Sequence, residues 1–169
     1  GYFWLLADLP SLDSLPQRLN TPSVRIVDRH ERLLYESISA EGGRHTVLRL
    51  DEISSYLRQA TIATEDRNFY QHPGVDFIGV LRALWINLRG GEVLAGGSTI
   101  TQQVARTLLL DMEERFQSTL RRKLRESILA WQLTRQYSKD EILALYLNQT
   151  YYGGYSYGVE AAAQTYFGK

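Results

Sequence analysis

The chain has 169 residues and a mass of 19.4 kDa, with 44% hydrophobic and 22% charged residues, which excludes disordered, collagen-like and coiled-coil chains. Nineteen basic and nineteen acidic residues leave no formal net charge, so the basic excess of a nucleic-acid-binding protein is absent and no nucleic-acid partner is expected. Because the chain has no cysteine and only three histidines, it excludes disulfides, thiolate nucleophiles and cysteine-ligated metals, and no metal site is predicted.

The first elements are short. The apolar residues 2–7 are too few to cross a membrane and fit either the end of a membrane anchor or the start of a strand or helix. Residues 8–22 contain three of the four prolines and predict an extended linker. We therefore interpret residues 1–22 as a linker or the end of an anchor and residues 23–169 as one domain. Apolar runs on either side of residues 28–32 predict a small β-hairpin.

Helices dominate the rest of the chain. The spacing of Ile53, Leu57, Ala60 and Thr64 predicts an amphipathic helix that Asp51 is able to cap. Further helices are predicted over about 76–90, after Thr99, over about 120–136, after the capping box of Ser138 and Glu141, and over about 159–167. The sequence thus predicts a mainly α domain with a small strand element near its start.

Two acidic residues, Glu65 and Asp66, stand where the first helix meets a Pro-Gly turn. A carboxylate beside apolar walls has a raised pKa, and this makes a glutamate usable as a general base near neutral pH. The alternative is that Glu65 pairs with Arg67 or with a later helix, while His72 and Gly74 only shape the turn.

Glycines and hydroxyls precede the helix after Thr99, and the free backbone N–H groups of such a segment suit an anion. The alternative is a glycine hinge followed by a helix cap.

Five cations lie between Glu113 and Glu126, and they either form ion pairs along an exposed helix face or, with Arg106, hold a diphosphate.

The predicted helix over residues 77–89 is apolar on most of its faces. Burial in the core explains part of this pattern. Trp85 with Arg82 and Arg89 also suits the headgroup boundary of a membrane, and both interpretations stay open.

Taken together, these segments resemble the family fifty-one glycosyltransferases, the peptidoglycan glycosyltransferase domain of class A penicillin-binding proteins and of monofunctional transglycosylases. The resemblance covers residues 23–169 and rests on four motifs in order. They are Glu65-Asp66 with Phe69, His72 and Gly74; Gly97 to Gln103; Arg122-Lys123 with Glu126; and Tyr146-Leu147-Asn148 with Tyr152-Gly153 and 158–162.

The resemblance implies a lysozyme-like helical fold with two lobes around a cleft, and an inverting reaction that polymerises lipid II into glycan strands and releases undecaprenyl diphosphate. It implies that Glu65 is the catalytic base for the 4-hydroxyl of the acceptor sugar and that Glu126 acts on the donor side. The residues implied to bind substrate are Asp66, Phe69, His72, Gly97, Ser98, Thr99, Thr101, Gln102, Gln103, Arg106, Arg115, Arg122, Lys123 and Asn148.

The family also implies a place on the outer face of the bacterial cytoplasmic membrane, with an anchoring helix before residue 1 and further helices after residue 169. The implied partners are lipid II, the growing glycan strand, the membrane and moenomycin-type inhibitors, and a C-terminal transpeptidase domain is left open. No tightly bound cofactor is expected, and a divalent cation that assists the diphosphate is left open. Two alternative functions are a lysozyme-like glycan-cleaving enzyme and a non-catalytic domain that binds lipid II or the wall.

Overall fold

The computed structural model describes residues 8–19, 22–37, 43–90 and 97–168, and this part of the chain is mainly helical with a small hairpin near its start, as the sequence predicts. The helices are α1 (Leu15–Arg18), α2 (Ser55–Glu65), α3 (Phe77–Gly90), α4 (Ile100–Leu108), α5 (Met112–Arg115), α6 (Leu120–Gln136), α7 (Lys139–Gln149) and α8 (Val159–Phe167). The strands are β1 (Arg25–Val27), β2 (Leu33–Glu36), β3 (Arg44–His45) and β4 (Ser156–Tyr157).

The predicted hairpin is confirmed. Strands β1 and β2 pair antiparallel, with Ile26 opposite Tyr35 and an irregular register after Ile26. The Asp28 carboxylate closes the turn by accepting hydrogen bonds from the backbone N–H groups of His30 and Arg32, at 2.8 and 2.9 Å.

A second pairing joins two segments that are far apart in the sequence. Strands β3 and β4 pair in parallel, which the sequence does not predict. The His45 ring is fully buried beside this pairing, and its Nε2 lies 2.9 Å from the backbone oxygen of Asn148. The segment before α2 is therefore attached to the end of α7.

The core lies where α4, α6 and α7 pack together. Apolar side chains from all three helices are fully buried there, among them Ile100, Leu129, Leu133, Leu143 and Leu147. The first turn of α4 is held by a capping box: Oγ1 of Thr99 accepts from the backbone N–H of Gln102, and Oε1 of Gln102 accepts from the backbone N–H of Thr99. The predicted capping box of Ser138 and Glu141 at α7 is confirmed.

The structure differs from the sequence prediction in residues 8–22. Residues 12–18 form two short helical turns instead of an extended linker, and Leu12 and Leu15 are buried in the core. The burial of two leucines stabilises this turn against the domain. The apolar residues 2–7 lie outside the described residues.

The prediction for α2 is wrong in two respects. The helix begins at Ser55, and Asp51 lies in a separate 3₁₀ turn, so Asp51 does not cap it. Leu57 and Thr64, which belong to the predicted apolar face, are exposed, whereas Ile62 packs against the core. Ala and Thr contribute little apolar area to a helix face, so this pattern was too weak to identify the buried side.

Helix α3 leaves its described apolar side chains in solvent. Phe77, Ile78 and Leu81 are each about two thirds exposed or more, and Arg89 stacks over the ring of Trp85 at 4.4 Å. Burial in the core therefore does not explain this face. The side chains at 83, 84 and 86–88 lie outside the described residues, and within the described chain we find no helix with the length and apolar character to cross a membrane.

Candidate active site

Glu65 is the last residue of α2, and its side chain is exposed. Its carboxylate accepts a hydrogen bond from Nε2 of Gln103, in the first turn of α4, at 2.8 Å. The sequence allowed an ion pair of Glu65 with Arg67 or with a later helix. The partner of Glu65 does come from a later helix, but it is the neutral amide of Gln103.

Two tyrosines lie close to the Glu65 carboxylate. Burial raises the pKa of Tyr146 to about 12, and the negative charge of Glu65 adds to this effect. Burial and the same carboxylate also raise the pKa of Tyr152. Both tyrosines belong to the fourth sequence motif, but neither was among the predicted site residues. Their presence in the segment that contains Asn148 was the available signal.

A buried network holds the segment after Glu65. The Asp66 carboxylate accepts from Nε2 of His72 at 2.9 Å and from the backbone N–H of Ile100 at 3.1 Å. Nδ1 of His72 accepts from the backbone N–H of Gly74 at 3.2 Å, so Nε2 carries the hydrogen that Asp66 receives. Phe69 is fully buried. These contacts fix the end of α2 against the start of α4.

The second acidic residue, Glu126, is almost completely buried on α6, at 1% exposure. It forms ion pairs with Arg122 and with Lys123, whose Nζ lies 3.3 Å from Oε2. The same Nζ donates to Oγ of Ser98 at 2.5 Å. Burial lowers the pKa of Lys123, whereas the charge of Glu126 raises it.

Arg106, on α4, interacts electrostatically with both groups. Its positive charge opposes the rise in the pKa of Tyr146 and adds to the fall in the pKa of Lys123 that burial causes. Helix α4 therefore contacts the exposed carboxylate of Glu65 through Gln103 and carries one member of a group of three cations, Arg106, Arg122 and Lys123, which we call the cation group.

The hydroxyl and amide residues of α4 are turned inward. Thr99, Thr101 and Gln102 are buried, and Oγ1 of Thr99 donates to the backbone oxygen of Gly74 at 2.6 Å. Nε2 of Gln102 donates to Oγ of Ser127 on α6 at 2.9 Å. Gly97 precedes the cap of α4. The hydroxyl of Thr101 is buried without a hydrogen-bond partner, whereas the partners of Thr99 and Gln102 are protein groups. Substrate contact stays a prediction for these residues.

Arg115 and Asn148 have their contacts elsewhere. Nε of Arg115 donates to the backbone oxygen of Leu110 at 2.8 Å, and burial lowers the pKa of this guanidinium, with the charge of Arg18 adding to the effect. The side-chain amide of Asn148 accepts from the N–H of Leu48 and donates to its C=O, each at 2.9 Å. The structure therefore does not bring Arg115 together with the cation group, and a role for either residue in binding substrate stays a prediction.

The site offers an exposed carboxylate, cations and hydrogen-bond donors. Within the described ranges, we find no group of three or more His, Cys, Asp or Glu side chains with the arrangement of a metal site. Around Glu126 the neighbouring side chains are cationic, which suits an anionic ligand.

Comparison with known proteins identifies the family of this chain. A family model described as transglycosylase matches residues 31–169. The chain is 49% identical to penicillin-binding protein 1A of Aquifex aeolicus over 71% of this chain and 16% of the relative. It is 42% identical to penicillin-binding protein 1A of Rickettsia felis over 96% of this chain and 20% of the relative. It is 43% identical to penicillin-binding protein 1A/1B of Bacillus subtilis over 97% of this chain and 17% of the relative.

The chain thus spans about a fifth of the length of the curated relatives it matches. The matched region includes α2, α4, α6 and α7, which supply the exposed carboxylate, the cation group and Tyr146, and it also includes Tyr152, which follows α7. The chain therefore belongs to the transglycosylase family, the peptidoglycan glycosyltransferases.

Proposed function

We propose that this chain polymerises lipid II into glycan strands as an inverting glycosyltransferase. The observation that carries the proposal is that α4 connects the exposed carboxylate of Glu65, which Gln103 contacts, with the cation group, to which Arg106 belongs. A diphosphate is a good leaving group, so the reaction needs a base for the acceptor and positive charge for the departing group, and it needs no covalent nucleophile.

In this reaction Glu65 takes the proton from the 4-hydroxyl of the acceptor GlcNAc. The oxygen attacks C1 of the donor MurNAc, a new C1–O bond forms, and the bond from C1 to the diphosphate breaks with inversion. Undecaprenyl diphosphate leaves with the electron pair of the broken bond. Gln103 supports this role because its amide orients the carboxylate without adding a positive charge.

The donor side is occupied by the cation group. Arg122 and Lys123 share the single buried carboxylate of Glu126, so this cluster keeps a net positive charge for the diphosphate. Glu126 thereby positions the two cations for the leaving group. Arginine supplies two parallel donors to phosphate oxygens, and lysine supplies a point charge.

The buried residues of the first two motifs act through these groups. Asp66 and His72 hold the turn that follows Glu65, and Thr99 and Gln102 hold the start of α4. We propose no tightly bound cofactor. A divalent cation that assists the diphosphate fits poorly beside Lys123, so we derive no step through a metal.

The exposed apolar face of α3 supports contact with the cytoplasmic membrane, where a lipid-linked sugar resides. We place the domain on the outer face of this membrane, anchored by a helix that precedes it. The relatives' name, penicillin-binding protein, supports a transpeptidase domain elsewhere in the full-length protein. Moenomycin-type phosphoglycolipids would compete for the same site because they also combine phosphate with sugars and a lipid.

The deciding experiment incubates the chain, and a longer portion of the same protein, with lipid II in detergent, with and without moenomycin. We expect long glycan chains whose growth moenomycin blocks. Fragments released from finished glycan would instead support a glycan-cleaving enzyme. Binding of lipid II without turnover in both proteins would support a non-catalytic binding domain.

A further inference from the structure

An apolar cavity of about 510 Å³ lies between α6 and the turn that leads into α3. Its lining residues are Pro73, Val75, Phe77, Leu124, Ser127, Ile128 and Trp131. The volume is in the range of sites that bind small molecules. Phe77 and Leu124 are partly exposed at the cavity rim, so the cavity is accessible from solvent.

The wall opposite α6 is held in place by backbone contacts. Gly74 has a φ of +98°, and a Cβ at this position would lie 2.5 Å from the backbone oxygen of Ala130, so the turn packs directly on α6. Oγ1 of Thr134 donates to the backbone oxygen of Pro73 at 3.1 Å. These contacts hold the turn against α6, so the backbone on the two sides of the cavity is fixed.

One lining residue of the cavity, Ser127, lies one helical turn after Lys123 on the same face of α6. Leu124, Ser127, Ile128 and Trp131 follow the spacing of one helix face, and Leu124 directly follows Lys123 in the chain. Oγ of Ser127 donates to the backbone oxygen of Lys123 at 2.9 Å. From Lys123 to Trp131 the helix rises about 12 Å, so the apolar surface continues for about two turns beyond the cations.

Positive charge at one end of an apolar cavity matches a ligand with an anionic head and an apolar tail. We propose that this cavity binds the diphosphate-proximal isoprene units of the prenyl chain of the donor lipid. The inference rests on the proposed function, since the cation group must hold the diphosphate. The cavity then fixes the direction in which the lipid leaves the site, along α6 and toward the exposed face of α3.

The test compares farnesyl diphosphate with inorganic diphosphate by isothermal titration calorimetry. We expect farnesyl diphosphate to bind at least about tenfold more tightly, because burying one leucine-sized apolar group is worth this much. Leu124→Gln should remove most of this preference and leave the affinity for inorganic diphosphate unchanged. Leu120→Gln is the matched control, because Leu120 is an exposed leucine one turn earlier on α6 that does not line the cavity, and it should keep the preference.

Equal affinity for the two ligands, or an equal loss in both leucine variants, would overturn the proposal; the latter result would indicate general adhesion of lipid to the surface. A long-chain prenyl diphosphate with a photoreactive group in its first isoprene units gives a second measurement. Labelling of Leu124, Ile128 or Trp131 supports the cavity, and labelling elsewhere or no labelling contradicts it. Failure of inorganic diphosphate to bind would count against the proposed function, and the labelling result then decides on the cavity by itself.

Discussion

Gln103 donates a hydrogen bond of 2.8 Å to the carboxylate of Glu65, and this contact joins the last residue of α2 to the first turn of α4. The turn that supplies the amide is held by its own capping box, in which Thr99 and Gln102 satisfy each other's backbone groups. The carboxylate is therefore oriented by a rigid element, although it remains exposed to an incoming sugar.

Replacing the proposed base should abolish most of the activity without unfolding the protein. Glu65→Gln should slow glycan formation by roughly 100- to 10,000-fold, which corresponds to about 3 to 5 kcal/mol in the barrier. The variant keeps an oxygen that accepts from Gln103, so its melting temperature should stay close to that of the parent. Glu113→Gln removes an exposed carboxylate on α5 and should polymerise lipid II at the parent rate. A folded Glu65→Gln protein with the parent rate would rule out this base.

The same substitution should change the titration of the neighbouring tyrosines. Because the charge of Glu65 raises the pKa of both Tyr146 and Tyr152, Glu65→Gln should lower both values. Tyr70 provides an internal control, since burial and Asp140 raise its pKa and Glu65 does not contribute. The measurement is an NMR titration of protein with labelled tyrosine rings. Unchanged titration of Tyr146 and Tyr152 would mean that the carboxylate does not face them.

The affinity for diphosphate should depend on pH through Lys123. Burial lowers its pKa below the usual 10.5, so the ammonium loses its charge, and binding of inorganic diphosphate weakens, as the pH rises through this lowered value. Glu126 favours the charged ammonium, so Glu126→Gln should move the loss of affinity to lower pH. Lys123→Arg is the control, because a guanidinium stays charged over this range and should remove the alkaline loss. The same pH dependence in the parent and in Glu126→Gln would contradict the coupling.

Much of the local structure follows from the sequence, because capping boxes and helix periodicity are local signals. Thr99 and Ser138 each begin a helix as predicted. The parallel pairing of β3 with β4 has no local signal, since it joins short segments with more than a hundred residues between them. The prolines around Leu12 and Leu15 led to the prediction of an extended linker, so the sequence did not predict the helical turns that bury these leucines.

The sequence motifs identified the residues of the candidate site, but they did not show which of these residues contact one another. The sequence indicated Glu65, Glu126 and the cations of the third motif, and in the structure Glu65 contacts α4 while Arg122 and Lys123 form ion pairs with Glu126 on α6. The sequence did not show that Asp66 and His72 would form a hydrogen bond with each other. A polar side chain near a catalytic group has the same sequence pattern whether it contacts substrate or protein. Arg115 was grouped with the cations by sequence proximity, yet α5 directs it toward Leu110.

Gly74 should tolerate no side chain. Its φ of +98° and the 2.5 Å distance from a Cβ to the Ala130 oxygen mean that Gly74→Ala must shift the turn or α6. We expect a loss of about 2 to 5 kcal/mol in the free energy of unfolding, from combined strain and overpacking. Gly168→Ala is the matched control, because Gly168 also has a positive φ but no atom lies within 4 Å of the added Cβ, and its loss should be about 1 kcal/mol. Equal losses in urea unfolding would show that the close packing of the turn is unimportant.

Asn148 should act on stability rather than on ligand binding. Its amide satisfies both backbone groups of Leu48 and donates to the Ala144 oxygen at 2.9 Å. Asn148→Ala should cost about 2 to 4 kcal/mol in the free energy of unfolding, because it leaves buried polar groups without partners. The affinity for inorganic diphosphate should not change. Gln164→Ala, which removes a single half-buried hydrogen bond to Glu160, should cost about 1 kcal/mol or less. A stable Asn148→Ala protein with weakened diphosphate binding would support the substrate-contact role instead.

The bond between His45 and Asn148 also sets an order of events during biosynthesis. These residues are 103 positions apart, so the earlier one leaves the ribosome well before its partner exists. At a translation rate of about 5 to 20 residues per second, the nascent segment waits roughly 5 to 20 seconds before its acceptor emerges. The segment before α2 therefore stays unattached to α7 until α4, α6 and nearly all of α7 have been synthesised.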